Sequence, residues 1–212
     1  MKKNTSLENR WIGLLFLCYF SGLLGICIPS YRDIFLPLTP FNLVLTLLIF
    51  YKVNRDFSQR FLVLSLLVFS FGFSVEGIGV ATGMLFGNYS YGNVFGFKLF
   101  ETPVVIGVNW LFLALSTYGL VQYFTKKAIW LILLPPVLMT ALDFLVEPVA
   151  MKLGFWSWEN DIIPLQNYAM WFITSVIIHS IIWVFKPTIN AKISFTIVGV
   201  QVLFFGVLSV FL

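Results

Sequence analysis

The chain has 212 residues, 59% hydrophobic and 10% charged, with a formal net charge of +4 and a mean hydropathy of +0.95. A soluble domain carries about 25% charged residues to keep its surface wetted, so a water-soluble globule is excluded, and disorder with it. A membrane span takes about 20 apolar residues, which leaves no room for a separate extramembrane domain.

Seven apolar stretches follow in order: Trp11–Pro29, Ile34–Val53, Phe61–Val80, Pro103–Phe124, Ala128–Ala150, Tyr168–Phe185 and Ile193–Leu212. They predict an all-α, polytopic membrane protein of about seven transmembrane helices, with residues 1–212 forming one integral membrane domain. The first stretch follows Lys2, Lys3 and Arg10 but lacks a small-residue cleavage site, so it reads as a span and not a signal peptide. Pro37 and Pro40 should bend the outer end of the second, and Pro135-Pro136 should kink the fifth. With the N-terminus in the cytoplasm, ten basic residues fall on the inner side: Lys2, Lys3, Arg10, Lys52, Arg55, Arg60, Lys126, Lys127, Lys186 and Lys192. Only Arg32, Lys98 and Lys152 fall outside, a bias that orients the chain in the cell (inner) membrane. Because the basic residues are spread over several short loops, they do not form a nucleic-acid surface.

Two segments share a pattern. Glu76 is followed by Gly87-Asn88-Tyr89-Ser90-Tyr91, Pro103 and Trp110; Glu147 is followed by Gly154-Phe155-Trp156-Ser157-Trp158, Pro164 and Trp171. Both enter the membrane from the same side. They read as parallel repeats, about 61–124 and 128–185, pairing the third span with the fourth and the fifth with the sixth, with a site expected between them.

Glu76 and Asp143 each lie fifteen residues beyond the inner start of their spans, about 22 Å along a helix and within hydrocarbon about 30 Å thick. An acid there costs at least ~2.5–3.5 kcal/mol and faces a cavity or a partner. Asp143 and Glu147, spaced i, i+4, share one helix face, and two carboxyls so close and so dry favour keeping a proton. Either Glu76 or Asp143 would then serve as proton donor. The competing structural reading has these acids bonding to neighbouring polar groups as interhelical glue. Glu159 and Asp161 read as solvated loop charges. His179, the sole histidine, reads as a satisfied polar group far from the acids. Cys18 and Cys27, about 13 Å apart on one helix, cannot form a disulfide, and no residue spacing reads as a metal site.

Tyr89, Tyr91, Trp156 and Trp158 alternate beside the acids, with Trp110 and Trp171 near the same boundary. An acid next to electron-rich rings suits carbocation chemistry: the acid protonates an alkene, and the ring faces stabilise the cation by about 2 kcal/mol or more when desolvated.

At these residues the chain resembles the carotenoid 1,2-hydratase family of integral membrane proteins, the CruF type. The resemblance rests on Ser74-Val-Glu76-Gly-Ile-Gly79, Thr82-Gly83, Phe86-Gly87-Asn-Tyr89-Ser-Tyr91, Asp143 with Pro148-Val149, Gly154-Phe-Trp156-Ser-Trp158, and Pro164 with Asn167 and Trp171. It covers about Ser74 to Trp171 and departs from the family's pattern at Glu101-Thr102, Glu147, Ile163 and Met170. It implies addition of water to the terminal 1,2 double bond of an acyclic carotenoid end, without a cofactor. The partners it implies are a lipophilic carotenoid, water, the lipid bilayer and other carotenoid-biosynthesis enzymes. On this reading Glu76, Asp143 and Glu147 are catalytic. Tyr89, Tyr91, Trp110, Trp156, Trp158, Asn167 and Trp171 bind substrate, with Asn167 holding the attacking water. The alternatives are a lycopene-cyclase-like enzyme using the same cation without water, a prenyltransferase holding magnesium diphosphate on Asp143 and Glu147, and a proton-coupled transporter. Lys192 sits at the edge of the last span, which excludes a retinal protein.

Overall fold

A computed structural model of the protein describes residues 5–212. Lys2 and Lys3, counted above toward the inner side, lie outside the described residues. Among the described residues, seven helical segments are long and apolar enough to cross a membrane. They comprise α1 (Thr5–Cys27), a broken second segment of α2 (Pro29–Phe35) and α3 (Thr39–Asn54), α4 (Gln59–Thr82), α5 (Val105–Phe124), α6 (Ala128–Lys152), α7 (Leu165–Phe185) and α8 (Ala191–Phe211).

The break between α2 and α3 is a 3-10 turn, Leu36–Leu38, and it falls where Pro37 and Pro40 remove backbone donors. By contrast α6 runs unbroken through Pro135, Pro136 and Pro148; the double proline does not interrupt it. Short caps set other boundaries. The Ser58 hydroxyl accepts from the Phe61 amide at 3.3 Å to start α4, and Asn190 accepts from Lys192 N–H at 2.9 Å to start α8.

α5 lies at the centre, with 78% of its most apolar window buried, and it packs against α3, α4, α6, α7 and α8. Small residues let it come close. A β-carbon on Gly72 would sit 2.6 Å from Trp110 Cβ, and one on Gly107 would sit 2.8 Å from a Phe69 ring carbon. Such small-residue contacts are how helices associate in lipid, where no hydrophobic drive favours one apolar neighbour over another.

At one end of the bundle, the loops after α4 and α6 meet as two short strands, β1 (Tyr89–Tyr91) and β4 (Trp156–Trp158). They pair antiparallel, Tyr89 opposite Trp158, Ser90 opposite Ser157 and Tyr91 opposite Trp156. Gly92 N–H to Phe155 C=O and Glu159 N–H to Asn88 C=O, both 2.9 Å, extend the ladder. Each strand leaves a glycine at positive φ, 109° at Gly87 and 67° at Gly154, a turn conformation that glycine adopts without steric cost. Strand side chains alternate faces, so the four rings turn inward and the serines outward, where the two hydroxyls lie 3.2 Å apart. A second two-residue pair, β2 (Lys98–Leu99) with β3 (Thr102–Pro103), completes the crown.

Candidate functional site

Beneath β1 and β4 lie three carboxyls, each contributed by a helix interior and each buried. Glu76, one turn above Gly72 on α4, is 4% exposed. The Tyr89 and Tyr91 hydroxyls donate to its Oε2 at 2.6 and 2.9 Å, and the Trp110 indole donates to its Oε1 at 3.0 Å. The close approach of α5 at Gly72 is what brings that indole within reach. Burial first, and the adjacent Glu76 carboxyl second, push both phenols well above their ordinary range, so Tyr89 and Tyr91 stay O–H donors.

Glu147 on α6 is built in the same way. Its Oε2 accepts from the Trp156 and Trp158 indoles at 2.8 and 2.7 Å, and its Oε1 from Asn167 Nδ2 at 3.1 Å. Period-two alternation in a strand places two donors on one side of it, so a Gly-x-aromatic-Ser-aromatic segment can grip one carboxyl twice.

Asp143 is different. It is 2% exposed, and it accepts a single hydrogen bond, at 2.9 Å, from the same Asn167 Nδ2 that serves Glu147. The i, i+4 spacing therefore does put both acids on one face, and α7 supplies the amide that ties them.

Two cavities meet at this cluster. A small one of about 20 Å³ is lined by Glu76, Tyr89, Tyr91, Glu147, Trp158 and Asn167 among others; that is room for about one water and no more. A larger apolar one, about 60 Å³, is lined by Asp143, Asn109, Met139, Phe155 and Gln201 among others. Trp156 and Trp171 line both, forming the partition. The larger cavity shares Thr39, Leu43, Phe155, Gln201 and Phe205 with a third of about 280 Å³ that continues between α1, α3 and α8. Asp143 is the only one of the three acids that reaches this apolar space.

All ten residues singled out from sequence thus gather at one end of the bundle, but in different positions. Trp156 and Trp171 border the apolar cavity. Tyr89, Tyr91, Trp110 and Trp158 do not; they hold Glu76 and Glu147, while Trp110 stacks on Trp171 with ring centres 4.2 Å apart. The space next to Asp143 lies toward α3, α5 and α8 and is not confined between the two motif-bearing units. Its residues Thr39, Asn109, Met139 and Gln201 belong to no motif, and Phe155 enters it from the variable position of the second one. A polar amide within an apolar span was the signal available for Asn109 and Gln201.

His179 lies elsewhere, between α5 and α7. It is fully buried, with Nδ1 2.7 Å from Ser175 C=O and Nε2 3.2 Å from both Ala114 C=O and the Thr117 hydroxyl, so its partners are structural. Cys18 and Cys27 are free. Glu159 accepts from Asn88 Nδ2 at 2.7 Å at the surface.

A relative in Haloarcula japonica, named bisanhydrobacterioruberin hydratase, is 31% identical over 120 residues, a stretch that covers 53% of this chain and 40% of that protein. The chain thus spans well under half the length of that relative. No solved structure matches it. Residues 39–212, which take in α3 to α8 and every residue of the carboxyl cluster, match the carotenoid biosynthesis protein family, and the chain belongs to that family.

Proposed function

We propose that the protein hydrates the terminal 1,2 double bond of an acyclic carotenoid end, with Asp143 as the proton donor. The observation that carries this is the placement of Asp143: it is the one acid of the cluster on the apolar cavity, with an oxygen that accepts from none of the described residues, in a cavity that Trp156 and Trp171 also line. The carotenoid end lies in the apolar cavity. The Asp143 carboxyl transfers its proton to the less substituted alkene carbon, and the tertiary cation forms beside the two indoles, whose quadrupoles stabilise it. Water held in the small cavity by Glu147 and Asn167 attacks the cation through the partition and forms the C–O bond. Its extra proton goes to Glu147, and the next water to enter the site carries a proton back to Asp143, so the net change is one added water and no redox step.

The water-sized cavity favours hydration over cyclisation, which would use the same cation and needs water kept away. Glu147 is gripped by N–H donors on both oxygens, a surround that suits an anion and opposes the magnesium diphosphate site of the prenyltransferase reading. The reading is supported further by the family and by the name of the Haloarcula relative. It is tested by expressing the protein in a host that makes lycopene and analysing the carotenoids by mass. The expected product carries one added water per modified end, and an isomeric cyclised product of unchanged mass would overturn the assignment.

A further inference from the structure

The apolar passage leading away from Asp143 is not wholly apolar. Where its two cavities join, Gln201 on α8 lines both, although it is 3% exposed. Its hydrogen bonding has a fixed direction. The Thr46 hydroxyl spends its hydrogen on Asn42 C=O at 2.7 Å, so Tyr19, 3.1 Å away, donates to Thr46. The Tyr19 oxygen then accepts from Gln201 Nε2 at 2.9 Å. This chain leaves Gln201 Oε1 accepting from none of the described residues. One turn along α3, Asn42 lines the same passage, and its buried Oδ1 also has no partner. Thr39 borders both cavities beside them.

An amide oxygen without a donor is costly in apolar surroundings, and here Gln201 and Asn42, each with such an oxygen, line one passage whose other walls include Leu43, Phe155, Phe204 and Phe205. A hydrocarbon would leave both unsatisfied; an ether or ketone, lacking a donor, would do no better. We infer that Gln201 and Asn42 form a second subsite that accepts a hydrogen bond from a hydroxyl group carried by the lipophilic substrate at a distance from its reacting double bond. This rests on the reading of the passage as the seat of a long apolar substrate, and it adds that the preferred substrate is an alcohol-bearing polyene.

The test is a binding titration that needs no turnover. Polyenes quench tryptophan emission, and Trp156 and Trp171 line the cavity. An acyclic carotene hydrocarbon is compared with monohydroxylated counterparts bearing the alcohol at successive distances from the terminal double bond, each titrated into the full-length protein in nanodiscs. At least one alcohol should bind roughly tenfold more tightly than the hydrocarbon, the scale of one buried hydrogen bond. Gln201→Leu should bring that ratio to about one. Asn42→Leu, which leaves the Tyr19 bond intact, should also lower it and serves where Gln201→Leu fails to fold. Equal binding of every alcohol and the hydrocarbon, or a preference that survives both substitutions, would show that water satisfies these amides and would overturn the subsite. Absence of a hydrated product would remove the hydratase reading alone, because the Kd ratio is read without chemistry.

Discussion

Glu76 and Glu147 sit under matching aromatic strands, and each accepts three hydrogen bonds from side chains of its surroundings. Yet only the Glu147 side carries a second acid. One turn before Glu147 stands Asp143, bonded once and open to an apolar cavity; one turn before Glu76 stands Gly72, packed against Trp110. The same local design therefore does two things. On α4 it fixes a carboxyl and, through Trp110, anchors the central helix. On α6 it fixes a carboxyl and leaves its neighbour bonded once and open to the apolar cavity, where we propose it transfers its proton. The pairing of β1 with β4 joins the two segments read from sequence as parallel repeats, and on our proposal the acid of the first is structural while the second carries the chemistry.

Substitutions can break this contrast in graded steps. Asp143→Asn keeps the volume and the contact with Asn167 but removes the proton. Hydrated product per unit protein in carotene-producing membranes should fall by about 10³-fold, within the range that general acid catalysis contributes. Full activity in that variant would move the donor role to Glu76. Glu147→Gln keeps an acceptor for the indoles but no longer takes a proton from water, so a loss of about 10²-fold is expected in the same assay, with protein yield unchanged.

Glu76→Gln should reverse the balance: activity within about tenfold of the parent, but lower resistance to thermal unfolding in detergent. The substitution exchanges charge-assisted hydrogen bonds for neutral ones, a difference of about 1–2 kcal/mol. If it abolished hydration and left stability intact, the division between a structural and a catalytic carboxyl would fail. Tyr91→Phe removes one of three donors to Glu76 and should cost about 1 kcal/mol by the same measure. Smallest of all, Ser90→Ala with Ser157→Ala deletes a hydroxyl contact on the outer face of the strand pair and should change stability by less than about 0.5 kcal/mol.

Much of this was legible before any coordinates. The apolar stretches fixed seven spans, because only a helix can satisfy its backbone within lipid, and Pro37 with Pro40 marked the break in the second. The i, i+4 spacing of Asp143 and Glu147 put them on one face. The shared Gly-x-aromatic-Ser-aromatic pattern located both strands. Alternation then told which side chains turn together, though not what they turn toward: the rings expected around a substrate proved, for Tyr89, Tyr91, Trp110 and Trp158, to be donors to carboxyls. Tyr and Trp have both an apolar face and a polar hydrogen, and sequence does not say which one a fold will use.

Composition alone settled the class of environment, since 10% charge cannot wet a soluble surface. The bias of basic residues supplied the expected orientation, and the acids supplied the expected location of the candidate site. The tertiary structure decided which acid meets apolar space. Asp143 and Glu76 look alike in sequence because both are acids at similar depth in apolar helices. They differ because α7 presents Asn167 to one and α5 presses Trp110 against the other, and because Leu43, Gln201 and Phe205, far away along the chain, wall the cavity that only Asp143 reaches. Those neighbours arrive by helix packing, which has no local sequence signature.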